Sequence, residues 1–552
     1  MFRHTLQRCG LASAKFRQRY IDARRSRQAR RLAIEPLERR DLFAVTPMAP
    51  ITFGGQAVDA GYAIAVDEAN NRYLTGIFSD TVDFDPGDAV SNLTSNGDFD
   101  IFVAKYSADG SLAWARGFGS EFQDTGADHR QSIAVDTGGN VYVLTTFAGT
   151  VAFDDTVLTS VPPSDLTYWQ SYVVIRLDPS GNVEWAKSFD EATYARDLAL
   201  HDPIGAPAAS AVYVVGRFKG TQQFGTQQLS STAGEQDAFL SRIDASTGSF
   251  TWTNQTSGKG VENFTGVAVD PAGSGAVYVT GHKFDEAIIG SFKFDKRSGR
   301  SALVAKADLN GTFQWAKLIA TGPNRNPIAT GWDIALGNGG IFVTGLFQDE
   351  YADFDSIRVR NANGKSGGDD IFVTQLDANG KVNWAIGVGS TSKDNGRQPA
   401  IAADALGNVF LAGVLGGQAQ LGSDALPAGH FVSQIDAASG QFIKSWPLAA
   451  GIQFRNINTD PAGNLWVTGL FEGTATFPDG TTVTSNNASQ DLFVQQFSNA
   501  PVVATAPLQA TSSTDEPLQV DDSAAMLNTV AVESLLANPE STWMRKLRIQ
   551  AI

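Results

Sequence analysis

The sequence predicts an all-β protein, a seven-bladed β-propeller of four-stranded antiparallel blades closed by an N-terminal strand. Three observations predict this fold. A unit of about 65 residues recurs seven times along the chain. Each unit contains short runs of β-branched and aromatic residues separated by turn residues, which indicate strands. The last unit lacks its fourth run, and a matching run stands just before the first unit.

The first strand of each repeat ends in a triplet that reads Ala-Val-Asp in three repeats and a variant of it in the other four. The seven triplets begin at Ala65, Ala134, Ala199, Ala268, Ala335, Ala402 and Asn458. The branched aliphatic residues that precede them are Ile64, Ile133, Leu198, Val267, Ile334, Ile401 and Ile457. Small residues alternate with large ones where sheets crowd toward an axis, so we predict that this strand is innermost and that its aliphatics are core.

The other strands follow in a fixed order. A turn rich in Gly and Asn leads to a second strand, such as residues 73–76 or 278–281, and a longer connection leads to a third, such as residues 101–105. A tight turn then leads to a fourth strand, which is centred on a tryptophan in six repeats. These tryptophans are Trp114, Trp185, Trp252, Trp315, Trp384 and Trp446.

The seventh repeat has no fourth-strand tryptophan, because the chain passes from residues 493–496 into a segment rich in Pro, Ala and Thr. Residues 53–55, Phe-Gly-Gly, match residues 118–120, Phe-Gly-Ser, which end a fourth strand. We therefore expect residues 51–55 to complete the last blade. That pairing would join both ends of the ring and remove an open edge that invites aggregation.

Charge and composition divide the chain into three parts. Residues 1–44 hold twelve Lys or Arg and four Asp or Glu, a net charge of +8, which leaves −24 on the remainder of a chain whose total is −16. We predict a basic, disordered leader at 1–44 and the propeller at 45–500. The tail, 501–552, is predicted to contain an acidic linker and a short amphipathic helix over residues 525–536.

The same composition excludes several classes of protein. A body this acidic repels phosphate backbones, which argues against a nucleic-acid partner. No apolar run in the sequence is long enough for a transmembrane segment. The single cysteine, Cys9, lies in the leader, so neither a disulfide framework nor a cysteine-based site is expected in the propeller.

The leader lacks the apolar core of a standard secretory signal. Its end, residues 35–44, resembles the Leu-Glu-x-Arg-x-Leu-Leu-Ala leader motif found near the start of many large planctomycete surface and exported proteins. The match is carried by Leu37, Glu38, Arg40, Leu42 and Ala44, with Phe43 where the motif has leucine. The resemblance implies an exported protein, extracellular or at the cell surface. The alternative is a basic tail that binds an anionic surface.

Residues 51–498 resemble the bacterial seven-bladed β-propeller (SBBP) repeat family, whose units run as Ala-Val-Asp, Gly-Asn, Tyr-Val-Thr-Gly, Phe-Val-x-Lys, Gly and Trp. In the first repeat these motifs stand at residues 65–67, 73–76, 102–105 and at Trp114. The resemblance implies an exported propeller. It does not imply a particular ligand or reaction.

The loops between fourth and first strands share one face of a propeller with those between second and third strands, and loops of this kind carry function. The residue two positions before each inner aliphatic is predicted to lie at the tunnel mouth on that face. These residues differ between repeats and are Tyr62, Gln131, Arg196, Thr265, Trp332, Pro399 and Arg455. Tyr, Trp and Arg side chains would clamp a sugar or an acidic group by stacking and charge-assisted hydrogen bonds. The alternative is that these loop residues vary because no ligand selects them.

The first long loop concentrates carboxylates around turn residues. They are Asp83, Asp85, Asp88, Asp98 and Asp100. Calcium favours clusters of oxygen ligands, so this loop is a candidate calcium site. The spacing does not match the EF-hand loop, and the alternative is a set of turn aspartates on an acidic, solvated surface.

Catalytic motifs are scarce. The histidines of the predicted propeller lie on different repeats without zinc-ligand spacing, and are His129, His201, His282 and His430. The sequence contains no Gly-x-Ser-x-Gly elbow, Walker loop or His-Glu-x-x-His pair. We therefore predict a monomeric, non-catalytic propeller that binds a protein or polysaccharide through its loop-rich face. The alternative is a hydrolase or lyase acting on glycans, with Asp128, Asp197 and Asp333 as carboxylates near the axis.

Overall fold

The structure, a computed structural model, describes residues 44–122, 124, 131–160, 170–190, 192–206, 209–270, 275–295, 299–322, 328–364, 368–392, 394 and 398–499. The predicted leader upstream of residue 44 and the predicted linker and helix of the tail lie outside these ranges. Apart from strands, the described ranges contain two short 3-10 helices, Thr232–Gly234 and Asn486–Ala488. They contain no helix with the length and apolarity needed to cross a membrane.

The strands are numbered in chain order, and the first two are β1 (Thr46–Pro47) and β2 (Ile51–Phe53). Sheet 1 contains β3 (Ala60–Val66), β4 (Arg72–Phe78), β7 (Asp100–Tyr106) and β8 (Leu112–Phe118), with the hairpin β5 (Thr81–Asp83) and β6 (Asn92–Thr94). Sheet 2 contains β9 (Ser132–Val135), β10 (Val141–Phe147), β13 (Ser171–Leu177) and β14 (Val183–Ser188), with the hairpin β11 (Thr150–Phe153) and β12 (Thr156–Thr159). Sheet 3 contains β15 (Thr193–His201), β16 (Ala211–Lys219), β19 (Gln236–Asp244) and β20 (Phe250–Gln255), with the hairpin β17 (Thr221–Phe224) and β18 (Gln227–Ser230).

The remaining sheets repeat this plan. Sheet 4 contains β22 (Glu262–Asp270), β23 (Ala276–Phe284), β26 (Arg300–Ala307) and β27 (Phe313–Ile319), with β21 (Ser257–Gly258), β24 (Ala287–Ile289) and β25 (Phe292–Phe294). Sheet 5 contains β28 (Ala329–Gly337), β29 (Gly340–Phe347), β32 (Asp370–Leu376) and β33 (Val382–Val388), with the hairpin β30 (Tyr351–Phe354) and β31 (Ile357–Arg360). Sheet 6 contains β34 (Ala400–Ala403), β35 (Asn408–Leu415), β38 (Gly429–Asp436) and β39 (Phe442–Pro447), with the hairpin β36 (Ala419–Leu421) and β37 (Asp424–Leu426). Sheet 7 contains β40 (Ile452–Thr459), β41 (Leu465–Glu472) and β44 (Gln490–Ser498), with the hairpin β42 (Thr474–Thr476) and β43 (Thr482–Thr484).

The main strands of every sheet are antiparallel and hydrogen-bonded in chain order. In sheet 7, β44 pairs with β1 and β2 on the side where the other sheets have a fourth strand. The prediction of an all-β protein is confirmed. Repeated four-stranded antiparallel sheets of this kind are the units of the β-propeller fold.

The first strands of neighbouring sheets contact one another in chain order from β3 to β40, and β40 contacts β3. The hydrophobic core is divided into clusters, most of which draw residues from two adjoining sheets. The seven inner aliphatics predicted as core lie in these clusters and are only 1% to 8% exposed. Their assignment as core is therefore confirmed.

Two repeated side chains hold turns and neighbouring sheets together. The aspartate that follows the first strand caps the next turn, as where Asp67 accepts a hydrogen bond from the Asn71 backbone N–H at 2.8 Å. The fourth-strand tryptophan binds the next sheet, as where the Trp114 indole N–H donates to the Pro179 carbonyl at 2.9 Å. The same contact to the next sheet is made by Trp185, Trp315 and Trp384. Turn geometry and packing thus account for both motif positions.

The N-terminal strand connects sheet 7 to sheet 1. In the pairing of β2 with β44, Ile51 lies opposite Val494 and Phe53 opposite Leu492. Phe53 is 7% exposed, and its ring stacks on the Tyr106 ring of sheet 1 with 5.4 Å between the ring centroids. The segment therefore hydrogen-bonds to one sheet and packs against the other.

Candidate functional site

A β-bulge interrupts the first strand at an equivalent point in five sheets. The extra residue in each bulge is one that the sequence predicted for the tunnel mouth: Tyr62, Arg196, Thr265, Trp332 or Arg455. Bulges redirect a side chain and are frequent beside functional sites. In sheets 2 and 6 the first strand starts at Ser132 and Ala400, so Gln131 and Pro399 immediately precede it.

Two of these side chains link neighbouring sheets. Thr265 is 1% exposed, and its hydroxyl donates to the Gly331 carbonyl of sheet 5 at 2.7 Å. Gln131 accepts a hydrogen bond from the Thr75 hydroxyl at 2.8 Å and donates to the Gly76 carbonyl at 3.3 Å. Both side chains therefore have protein partners that account for their presence.

Four other members of the set carry aromatic or guanidinium groups. The Arg455 guanidinium carbon lies 5.6 Å from the centre of the Tyr62 ring, which places a cation–π pair where sheet 7 meets sheet 1. Tyr62 and Arg196 are buried, whereas Trp332 and Arg455 are half-buried. We call Tyr62, Arg196, Trp332 and Arg455 the bulge ring.

The residue after the bulge is an aspartate in sheets 3 and 5. Asp197 accepts a hydrogen bond from the Val267 backbone N–H of sheet 4 at 2.9 Å, and Asp333 accepts one from the Ile401 backbone N–H of sheet 6 at 2.9 Å. Each carboxylate therefore ties its sheet to the first strand of the next. Asp128, the third carboxylate predicted near the axis, lies outside the described residues.

Sheets 3 and 4 carry two basic side chains that were not predicted as part of a site. Arg217 and His282 each follow the glycine of the second strand. The corresponding residues of the other sheets are apolar or threonine, and are Ile77, Thr146, Leu346, Val414 and Leu470. A comparison of the repeats at this position could have identified Arg217 and His282 from the sequence. A purely structural requirement would give similar residues in every sheet.

The His282 imidazole is surrounded by positive charge. It is 6% exposed, and its Nδ1 has no hydrogen-bond partner in the part of the chain that the structure describes. Burial lowers the pKa of His282 to about 3, and the nearby charges of Arg300, Arg217 and Arg196 add to this effect. The imidazole is therefore neutral at pH 7 while three guanidinium groups lie near it.

Carboxyl groups are buried in pairs at four of the junctions between sheets. One member lies at the start of a third strand, and the other lies in or just after the connection to the next sheet. The pairs are Asp491 with Asp59, Asp100 with Asp124, Asp237 with Glu262, and Asp370 with Asp394. All eight side chains are at most 3% exposed. We call them the carboxyl pairs.

The pair at the junction of sheets 1 and 2 shows how these groups are held. Asp124 accepts hydrogen bonds from the backbone N–H groups of Ser120 at 2.7 Å and Ala148 at 2.8 Å. Asp100 Oδ2 accepts one from the Asn96 backbone N–H at 2.9 Å. These bonds hold the loop that enters sheet 2 in place beside two other loops. Those loops follow the second strand of sheet 1 and the second strand of sheet 2.

One oxygen of Asp100 is left without a hydrogen-bond partner among the described residues, and the same is true of Asp237 and Asp370. A Cβ atom at position 119 would lie 2.0 Å from the carboxyl carbon of Asp100, so this close approach requires Gly119. A buried carboxylate oxygen without a partner is costly, which favours the protonated form of the pair.

Burial raises the pKa of at least one carboxyl group in every pair, and for Asp59, Asp124, Glu262 and Asp370 the charge of the other member adds to the rise. The pKa reaches about 7 for Asp59, Asp124 and Asp370, and about 8 for Glu262. Each pair therefore retains a proton at a pH where an ordinary aspartate has lost it.

The aspartates predicted to bind calcium have separate surroundings. Asp83 accepts a hydrogen bond from the Ser91 backbone N–H at 2.8 Å, and Asp85 accepts one from the Gly87 backbone N–H at 2.7 Å. Asp100 belongs to a carboxyl pair, whereas Asp88 and Asp98 are exposed. Among the residues described, no three His, Cys, Asp or Glu side chains form a group that could hold a metal ion. Calcium binding here stays a prediction.

No family model matches the chain. An uncharacterized WD repeat-containing protein of Acanthamoeba polyphaga mimivirus is 23% identical over 189 residues, a match that covers 30% of this chain and 13% of that protein. The chain therefore matches only a small part of the length of this curated relative.

The solved structures to which this chain is similar in backbone trace have low sequence identity to it. The β-propeller domain of the Trilobed protease from Pyrococcus furiosus is 9% identical, with 80% of this chain and 95% of that chain covered and a TM-score of 0.37. BamB from Moraxella catarrhalis is 11% identical, with coverages of 82% and 100% and a TM-score of 0.36. An ulvan lyase, a polysaccharide lyase, is 9% identical, with coverages of 81% and 98% and a TM-score of 0.39. At these TM-scores the similarities indicate neither a ligand nor an activity.

Proposed function

We propose that the seven sheets form a seven-bladed β-propeller closed by its N-terminal strand. We also propose that the protein is exported and binds a protein or a polysaccharide through the face that carries the bulges. The ring is supported by the contacts that run from β3 to β40 and back to β3, together with the pairing of β2 with β44. Export is supported by the leader motif at residues 35–44.

The observation that carries the binding role is a bulge that recurs in five sheets and holds four different residue types. The inner aliphatic two residues later is similar in all sheets, as expected for a core position. The bulge residue instead varies between Tyr, Arg, Thr and Trp. Tyr, Trp and Arg are the residues that most often dominate binding interfaces, so this pattern suits recognition better than folding.

A hydrolase or lyase would need two close carboxyl groups with shifted pKa values that a substrate can reach. The carboxyl pairs have the proximity and the raised pKa values, but they are at most 3% exposed and recur at four junctions. Asp197 and Asp333 are more exposed, but both accept hydrogen bonds from the backbone of the next sheet. These contacts favour structural roles, and we propose a non-catalytic protein.

Joint replacement of the bulge ring is expected to abolish ligand binding. The conservative set Tyr62→Phe, Arg196→Gln, Trp332→Phe and Arg455→Gln removes the charges, the phenol hydroxyl and the indole while keeping much of the side-chain volume. Ligands would first be found by probing glycan and protein arrays with the full chain, and affinities then measured by calorimetry. Loss of hot-spot side chains is expected to weaken binding at least about 100-fold.

The matched control replaces Gln131 and Thr265 with alanine, because these residues occupy equivalent positions but their side chains bind neighbouring sheets. This control is expected to lower the melting temperature and to leave affinity unchanged in the folded protein. Binding that is unaffected by the ring variant would show that the bulge face is not the recognition surface.

A further inference from the structure

We propose that Arg217, His282 and Arg300, on sheets 3 and 4, bind the acid group and an adjacent hydroxyl of an acidic polysaccharide. This inference rests on the proposed binding role of the bulge face and names the class of ligand. We call these three residues the basic cluster.

The basic cluster joins residues from separate strands at the same end of two sheets. Arg300 begins β26 and lies opposite Phe284, which is two residues after His282 on β23. Side chains two residues apart share one face of a strand, so His282, Phe284 and Arg300 lie on the same face of sheet 4. Arg217 lies at the position of sheet 3 that corresponds to His282. The positive charges of Arg217 and Arg300 both act on the His282 imidazole.

Arg300 is the accessible cation of the group. Its side chain is exposed and forms no ion pair within the described ranges. Guanidinium groups bind carboxylate and sulfate oxygens through paired, charge-assisted hydrogen bonds. An anion placed beside Arg300 would also offset the repulsion between the positive charges that surround His282.

Two buried polar atoms beside this charge favour a ligand that carries hydroxyl groups. Asn263 lies directly opposite His282 in the pairing of β22 with β23, and it is 3% exposed. Its Oδ1 and the Nδ1 of His282 both lack hydrogen-bond partners among the described residues. A hydroxyl group both donates and accepts, so when the imidazole proton is on Nδ1 a sugar hydroxyl can accept from that N–H and donate to the Asn263 Oδ1.

Exposed rings beside the cluster provide surfaces on which a sugar ring can stack. The Tyr194 side chain is 38% exposed, and the Arg217 guanidinium carbon lies 5.1 Å from its ring centre. Phe284 is 46% exposed. This region therefore combines exposed rings, guanidinium groups and buried polar atoms that could bind a hydroxyl group. This combination suits an acidic sugar better than an acidic peptide.

Two acidic side chains of the adjoining first strands are directed elsewhere. Glu262 and Lys283 alternate with Asn263 and His282, so they lie on the opposite face of the same strands. Asp197 accepts hydrogen bonds from the Ser132 hydroxyl and the Val267 backbone N–H. The chain beyond residue 44 has a net charge of −24. The net negative charge of the protein therefore repels a polyanion. The basic cluster is a local region of positive charge within this negative electrostatic field.

Binding of defined polymers by the full-length protein tests this assignment. Polygalacturonate presents carboxylates and dextran sulfate presents sulfates, while dextran is the neutral arm and polyglutamate the acidic peptide arm. We expect calorimetry at low salt to detect binding of at least one acidic polysaccharide and of neither dextran nor polyglutamate. In the variant Arg217→Ile, His282→Leu, Arg300→Ala the Kd should rise at least about 10-fold, since charge-assisted bonds are lost.

The variant is chosen to preserve folding. Isoleucine and leucine occupy the same position in other sheets, as Ile77 and Leu346 show. Should the triple variant have a lowered melting temperature, Arg300→Ala alone alters an exposed side chain and should still weaken binding. The matched control is Arg360→Ala, which removes an arginine that is 71% exposed and paired with Glu350. This control should bind as the unmodified protein does.

Unchanged affinity in both cluster variants would overturn the assignment, as would the absence of binding to both acidic polysaccharides. Equal affinity for polyglutamate, lost in the same variants, would show that the partner is an acidic protein and would overturn the polysaccharide class. Failure here is distinguishable from failure of the binding role. If array ligands bind and depend on the bulge ring but not on the basic cluster, the binding role stands and this inference falls.

Discussion

Replacing Phe53 with alanine is expected to lower the free energy of unfolding by about 3–5 kcal/mol, the usual cost of removing a buried phenylalanine side chain. The residue lies on β2, where it pairs across from Leu492 of the last strand and stacks on Tyr106 of sheet 1. Its loss weakens the N-terminal strand on both of the sheets that it joins. Urea denaturation followed by circular dichroism measures the change.

Met48→Ala is the matched control, because Met48 belongs to the same N-terminal segment but is 48% exposed. Its cost should stay below about 0.5 kcal/mol, as for most surface substitutions. Equal stability of the Phe53→Ala variant and the unmodified protein would contradict the proposed closing role of β2.

The melting temperature is expected to fall by about 5–10 °C as the pH rises from 5 to 8. The folded carboxyl pairs lose their protons near pH 7 to 8, whereas the same groups in the unfolded chain lose them near pH 4. Between these values the folded state binds more protons than the unfolded state, so stability decreases as the pH rises. Carboxyl groups whose pKa is lowered, such as Asp202 and Asp355, act in the opposite direction but only below about pH 4. The lowered pKa values of His201 and His282 also act in the opposite direction, but only up to about pH 6.5 and for two groups against four carboxyl pairs.

Asp100→Asn should reduce this pH dependence. The asparagine oxygen can still accept the hydrogen bond from the Asn96 backbone N–H, while its NH2 group replaces the oxygen without a partner and the negative charge that acts on Asp124 is removed. The melting temperature at pH 8 is expected to rise by about 2 °C. Asp98→Asn changes an exposed carboxylate two residues away and should leave the pH profile as it is. A profile that is flat or rising between about pH 6.5 and 8, where the histidines no longer contribute, would show that the carboxyl pairs hold no proton.

Sequence was sufficient for the features that recur. The inner aliphatics and the fourth-strand tryptophans stand at fixed positions in repeat after repeat, so a pattern that is ambiguous in one repeat becomes clear in seven. The pairing of residues 51–55 with the last sheet was predicted because residues 53–55 match residues 118–120, and β2 pairs with β44. These predictions need only local pattern and repetition.

The candidate site could be predicted only in part, because its geometry depends on contacts between strands that are far apart in the chain. The tunnel-mouth set included all five bulge residues, but the bulge is a one-residue shift of register against the second strand and leaves no sign in the first strand alone. Asp100 was predicted as a calcium ligand because it follows other aspartates, whereas its partner Asp124 comes from the connection to the next sheet. The basic cluster combines residues of three strands from two sheets.

The pairing of β44 with β1 and β2 also sets an order on folding. The Gln495 amide donates to the Met48 carbonyl, a contact that spans 447 positions of the chain. During synthesis the first six sheets can form as they leave the ribosome. The N-terminal strands β1 and β2 can pair only after the last strand, β44, has emerged. Contacts of such long range form slowly, because the entropy cost of bringing the two chain ends together comes before any stabilising bond is formed. The exposed edges of that unclosed intermediate are therefore where a chaperone is most needed and where misassembly between two nascent chains would begin.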